Sequence, residues 1–309
     1  MIVCDAAAFR AAYSAERYPI DAPTTARAAF LVTPRGFALA AESASDNRYM
    51  ANAAGASAAA PDAQRAVAQH AALVAALRES VPTVVFDGDP AAPDGVFPNN
   101  VFATVPGRAI FGAMRHAVRR REVARADIRA YFRDELGYKV VDLSAQPVVA
   151  ELTGALVIDR GRGIGFCGLS ERCDLAGARA MHEAFGLRLT YCFALAAGEY
   201  HANVVLAQLA SRALVIAADG FADADDAAAI AQVYAPQVLW LTPAQKAAFA
   251  GNAIALDPQR VWMSSAAAAA LSPPQRAQLA SWGFALREVP LDEIEKAGGS
   301  LRCCVGEIF

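Results

Sequence analysis

A cysteine and a histidine stand where they could serve as nucleophile and base, and a glutamate stands at the mouth of a third apolar strand. Near the end of the chain, AGGSLRCCVGEIF puts Gly298 and Gly299 just ahead of Cys303, so the backbone can turn tightly there, and the apolar alternation that follows reads as a short strand. A thiol at such a junction can point into a cleft, although a free cysteine is more often a buried structural residue. Of the 4 histidines, His201 in GEYHANVVL directly precedes an apolar strand. His70, His116 and His182 fall on helix or loop stretches among surface-like neighbours. A Cys–His pair distant in sequence suits nucleophilic catalysis, where the fold supplies proximity. Glu151 in VVAELTGALVIDR lies at the mouth of another apolar strand; in isolation it reads as a solvated strand-end carboxylate. Arg119 in RRRE and Arg172 in GLSERCD are candidate anion contacts, each a weak signal alone. No Cys-x2-Cys is present and the adjacent Cys303–Cys304 pair is too tight for a metal site, so neither metal nor cofactor is expected.

Composition narrows the class. The chain has 309 residues, enough for about two domains of ordinary size or one repeat-built domain. With 28 Lys plus Arg against 31 Asp plus Glu, the formal charge is −3, and a nucleic-acid partner is not expected. The hydrophobic fraction of 56% is largely alanine, no run is long enough for a membrane helix, and Asp5 and Arg10 interrupt any signal-peptide core. Six cysteines in so long a chain suit a reducing compartment, so a cytoplasmic monomer or homodimer is the expectation.

The elements that must position these residues recur in one order. Residues 28–34 read as a strand, 62–79 as an amphipathic helix and TVVF as the next strand. Strands near 101–105 and 109–113, a helix over about 121–136 and KVVDL follow. The pattern continues with strands at 155–159 and 163–167, a helix at 174–185 and a strand at 187–193. Strands at 203–207 and 213–217, a helix at 224–233 and VLWL come next, then IALD, VWMS, a helix at 272–281 and FALREVP. Repetition of one strand–strand–helix–strand unit predicts a pseudo-symmetric α/β assembly. The small-residue stretch 53–61 reads as a surface loop.

Taken in order, PDGVFPNN, RRREV, ELTGALVIDR, GFCGLSERCD, YHANVVLAQL, FAGNAIAL, WMSSAA and GGSLRCCVGEIF form a series. It resembles the guanidino-group-modifying superfamily of arginine deiminases, dimethylarginine hydrolases and amidinotransferases, most closely bacterial arginine-deiminase-related and citrulline-utilisation hydrolases. The resemblance runs from about residue 28 to the last residue. It implies a five-bladed α/β propeller of ββαβ units over 28–309, with 1–27 as an N-terminal extension, and an amino acid as substrate. It also implies Cys303 as nucleophile, His201 as general acid/base and Glu151 as its partner acid. Arg119 and Arg172 would take the substrate carboxylate and Asp94 its amino-acid end. Glu42, Asp46 and Asn47 would belong to a covering loop.

One departure bears on substrate. Deiminases and dimethylarginine hydrolases carry acids where this chain has Asn99 and Asn100, so the neutral pair favours a ureido group such as that of citrulline, or a guanidinium balanced by Glu151 or another acid. Cys303 would need a lowered pKa, from an imidazolium or from a cationic substrate. Amidino transfer uses the same three residues, and an inactive binding protein on the same scaffold is the remaining alternative.

Overall fold

The computed structural model describes residues 1–53 and 60–309, so most of the loop expected at 53–61 lies outside the described residues. The strands are β1 (Ile2–Val3), β2 (Ala28–Val32), β3 (Thr83–Phe86), β4 (Phe102–Val105), β5 (Arg108–Phe111), β6 (Lys139–Asp142), β7 (Leu156–Asp159) and β8 (Ile164–Leu169). They continue with β9 (Leu189–Ala194), β10 (Leu206–Leu209), β11 (Ala213–Ile216), β12 (Val238–Trp240), β13 (Ile254–Asp257), β14 (Arg260–Ser264), β15 (Ala285–Val289) and β16 (Gly306–Ile308). Among the described residues they form five small sheets, none of which closes on itself: β4-β5-β6, β7-β8-β9 with β1 added beside β9, β10-β11-β12, β13-β14-β15, and β16-β2-β3.

Every sheet is built alike. Its first two strands are antiparallel and its third lies parallel to the second. A parallel neighbour needs a crossover, and a helix supplies it each time. Ala63–Leu77, Leu175–Phe185, Ala224–Gln232 and Pro273–Ser281 cross four of the sheets, starting at side-chain caps from Asp62, Asp174, Asp223 and Ser272. The fifth crossover was expected as one helix over 121–136. It begins earlier and is broken into Ala117–Val123, Ala126–Ala130 and a wider turn at Tyr131–Glu135. The strand pair β16–β2 joins the last residues to the first sheet strand, so one unit is shared between the two ends.

First strands of neighbouring sheets lie side by side, β7 against β10, β10 against β13 and β16 against β4. Short helical turns feed them: Pro98–Asn100 into β4, Leu152–Ala155 into β7, Ala202–Val205 into β10 and Leu301–Cys304 into β16. The stretch 203–207, read as strand from its apolar run, is therefore helical through Val205. A turn closed by the Asn252 amide donating to the Phe249 carbonyl at 2.8 Å precedes β13.

Within the first 27 residues, β1 pairs parallel with β9 and Ala6–Ala15 forms a helix capped by Asp5. Phe9 is 1% exposed and stacks on Tyr191 with ring centroids 4.6 Å apart. Among the described residues no helix is long and apolar enough to cross a membrane. Because Phe9 fills a closed site, Phe9→Ala is expected to cost about 3–5 kcal/mol in urea unfolding, with Phe9→Leu recovering most of it.

Candidate active site

The turns that feed the first strands carry the site. They bring Asn99 and Asn100, Glu151, His201 and Asn203, Asn252, and Cys303 to one end of the adjoining strands. One cavity is lined by Asp94, Asn99, Asn100, Arg119, Arg172, Tyr200, His201 and Cys303, together with Ser43 and Asn47 from the covering segment. Its free space is about 20 Å³, room for one water. Of the catalytic and substrate-binding candidates named from the sequence, only Glu151 does not line this cavity and lies directly behind it; of the covering-loop residues Asn47 lines it, whereas Glu42 and Asp46 do not.

Glu151 is wholly buried. Its Oε2 accepts from Asn100 Nδ2 at 2.9 Å, meets His201 Nε2 at 2.9 Å and lies 3.4 Å from Arg172 Nη1, while its Oε1 accepts from the Arg115 backbone amide at 3.3 Å. Burial alone would raise its pKa. The charge of Arg172, the His201 hydrogen bond and the charge of Arg119 outweigh burial and hold the carboxyl well below the usual range. With an ionised acceptor facing Nε2, that nitrogen carries a proton, which leaves Nδ1 as the basic nitrogen of the neutral ring. His201 is itself lowered, because burial and the nearby arginines outweigh the support of Glu151. Gly154 lets the ring sit here: a Cβ at that position would stand 2.7 Å from both His201 Cε1 and Nδ1.

Cys303 is buried, and burial pushes its thiol up from the ordinary value. A hydrogen bond from the Ser300 backbone, the Asn252 amide, and the charges of Arg302 and Arg119 oppose that only in part. The resting pair is therefore a neutral thiol and a neutral imidazole, so the cysteine is not pre-activated by an imidazolium.

The two arginines line the cavity with partners already in place. Arg119 donates from Nε and Nη2 to Glu122 at 2.6 and 2.9 Å, and from Nη2 to the Phe97 carbonyl and Asn100 Oδ1 at 3.0 Å each. Burial pushes Glu122 up to about 7 even against this guanidinium. Arg172 donates from Nε and Nη2 to Asp46 at 2.9 and 2.6 Å and from Nη2 to the Ser43 carbonyl at 3.0 Å. Asp46 also meets His116 Nε2 at 2.9 Å, and Ser43 donates to Asp94. The covering segment is thus latched by charge onto Arg172. Two readings of the histidines are corrected here: His116 belongs to this network, and His70 is a buried core residue whose pKa burial lowers to about 4.

The sequence also pointed to Asn99 and Asn100 as substrate amides. Both Asn100 ends are taken, by Glu151 and Arg119, so it braces the acid and the arginine. Asn99 lines the cavity, and its buried Nδ2 has no partner among the described residues. Sequence reading missed Glu122, hidden in a charge run, and Asn252, whose Nδ2 lies 3.3 Å from Cys303 Sγ. Its signal was positional, a polar residue entering an apolar strand, as at Asn100, Glu151 and His201. Among the described residues no three His, Cys, Asp or Glu side chains gather as a metal ion would require.

Two outcomes follow from this geometry. Gly154→Ala should displace the His201 ring, seen as a shifted imidazole resonance, and cost about 1–3 kcal/mol of stability. For Glu151 the folded pKa lies below the unfolded value of 4.5, so its stabilisation is complete above that value and is lost as pH falls towards the folded one. The stability gap between the wild type and Glu151→Gln is therefore expected to be constant above about pH 5.5 and to narrow on acidification, as read by chemical unfolding.

The chain was compared with known proteins. No curated protein matches it. Among solved structures, the N-terminal domain of ArgZ, an arginine dihydrolase from the ornithine–ammonia cycle in cyanobacteria, superposes with a TM-score of 0.78 at 21% identity over 91% of this chain and 97% of that one. Unliganded AgrE gives 0.78 at 21% identity, covering 92% of this chain and 40% of its own. A dimethylarginine dimethylaminohydrolase in adduct with 4-chloro-2-hydroxymethylpyridine gives 0.69 at 21% identity, over 92% and 100%. At these identities the likeness is one of fold, a mixed α/β architecture shared by all three. The model of the eukaryotic N,N dimethylarginine dimethylhydrolase family matches residues 33–309, and the chain belongs to that family.

Proposed function

We propose that the protein is a cysteine-dependent hydrolase of the guanidino group of an arginine-type amino acid, working through a covalent intermediate on Cys303, with its five sheets as the blades of a propeller around the site. The observation that carries this reading is the His201 ring, fixed by an ionised Glu151 on the wall of the small cavity that also exposes Cys303.

The site can balance a cation. Asp46, Asp94 and Glu151 stand in and around the cavity against Arg119, Arg172 and Arg115, the last 3.3 Å from Asp46. A bound guanidinium would supply the positive charge that the neutral resting thiol lacks. The thiol proton passes to His201, the thiolate adds to the guanidino carbon, and the C–S bond forms. His201 returns its proton to the departing nitrogen as the C–N bond breaks, releasing ammonia or an alkylamine. Water then gives a proton to His201 and adds to the thiouronium carbon. As C–S breaks, His201 returns its proton to the departing sulfur and the hydroxyl proton is lost to solvent, leaving the ureido product and the thiol. Asp46 would yield Arg172 to the substrate carboxylate as the substrate enters.

The ureido preference suggested by Asn99 and Asn100 weakens here, because Asn100 is committed to Glu151 and Arg119. Of the two, only Asn99 leaves its amide nitrogen without a partner among the described residues. Its amide, turned either way, offers a donor to a ureido oxygen or an acceptor to a guanidinium. A second hydrolysis of the ureido product in the same site is therefore open to this chain, as the arginine dihydrolase fold relatives suggest by name.

The test offers arginine, Nω-methylated arginines and citrulline in parallel and reads ammonia, amines and amino-acid products by mass spectrometry. Turnover of at least one guanidino compound is expected, lost by a factor of about 10⁴ or more in Cys303→Ala. Turnover of citrulline alone would contradict the reading.

A further inference from the structure

We propose that Asn252 is a further catalytic residue: its side-chain amide donates to Cys303 Sγ and holds the sulfur as thiolate during attack, while its oxygen fixes the backbone on which that sulfur rides. This rests on Cys303 being the nucleophile.

Asn252 has no exposure to solvent. Its Nδ2 lies 3.3 Å from Cys303 Sγ and donates its other hydrogen to the Asn203 carbonyl at 2.8 Å, and its Oδ1 accepts from the Cys303 backbone amide at 3.4 Å. The acceptor role sets which end of the amide faces the sulfur, since a flipped amide would place oxygen against both the sulfur and a carbonyl. Asn203 Nδ2, at 3.9 Å, approaches the same sulfur from a second side. His201, in contrast, spends Nε2 on Glu151. Among the described residues no cation is in hydrogen-bond contact with the Cys303 sulfur, so the amide donors carry the local stabilisation of a thiolate.

The chain goes to some length to place this amide. Phe249 holds φ at +61°, a left-handed conformation rare for a large side chain. At Gly251 a Cβ would meet the Val204 carbonyl oxygen at 2.3 Å, so the loop presses on the turn that carries His201 and Asn203. Lys246, 2% exposed, anchors the start of the loop through Glu199 and Asp219, each at 2.7 Å. A strained loop with a buried ion pair at its root is a construction for precision, and what it positions is Asn252.

The test measures the pH dependence of Cys303 alkylation by iodoacetamide, in the protein without substrate and in a Cys304→Ala background, read peptide by peptide. Asn252→Ala is expected to move the alkylation profile to higher pH by about one unit, slowing the reaction about tenfold at a fixed pH below it. It should also lower kcat at least tenfold with KM within about threefold. Asn252→Asp keeps the size and the acceptor for the Cys303 amide but removes the donor and adds negative charge. Loss of the donor and gain of the charge both push the profile up, so a wild-type profile in this variant would mean that Nδ2 does not stabilise the thiolate. The proposal expects an upward shift at least as large, and Asn252→Asp serves equally should the alanine variant not fold. A wild-type profile in either folded variant would overturn the role of Asn252. Because alkylation needs no substrate, a wrong substrate class would leave the shift intact, and turnover surviving in Cys303→Ala would separately refute the nucleophile.

Discussion

An ionised carboxylate with no access to water must be matched on every side, and Glu151 is that carboxylate. Its desolvation is offset by Arg172, His201, the Asn100 amide and a backbone N–H, and each of these is thereby fixed in place. The imidazole tautomer follows from it, as does the position of Asn100, which in turn holds Arg119. Arg172 links the acid to Asp46 and so to the covering segment. The parts that would bind, protonate and enclose a substrate are thus organised around one buried charge.

The fold makes this possible by repetition. Each unit delivers a short turn into its first strand, and adjacent first strands bring the turns to a common end. Every turn contributes a polar or reactive side chain at a corresponding position: amides at 99 and 100, an acid at 151, an imidazole at 201, an amide again at 252 and a thiol at 303. Residues remote in sequence become neighbours without long loops, which keeps them rigid. The cost appears locally, as Phe249 with its positive φ and Gly154, where no larger residue fits beside the imidazole.

Much of this was legible beforehand because the crossover helices and apolar strands carry strong periodicity, and because Cys303, His201 and Glu151 each sit at a strand entry. The misreadings have physical causes. ANVV is apolar enough to pass for strand, yet tertiary packing winds it into a turn. Glu122 and Arg119 pair across one helical turn, and in a run of charges nothing marks that pair as buried. His116 and Asn100 have partners brought in by other units, Asp46 and Glu151, which no local pattern reveals. For Cys303 the sequence left two sources of activation open, an imidazolium or a cationic substrate; burial raises the thiol and lowers the imidazole, which disfavours the first.

The central claim is covalent chemistry at Cys303, assisted by a histidine that Glu151 holds. Its most direct test is rapid acid quench of the enzyme during turnover of a guanidino substrate, followed by intact-protein and peptide mass spectrometry. The account predicts an adduct on Cys303 with the mass of the substrate less its departing amine. It further predicts that the adduct accumulates in a Glu151→Gln variant, where water is activated poorly. Turnover without any adduct in either protein, or an adduct on another residue, would contradict it.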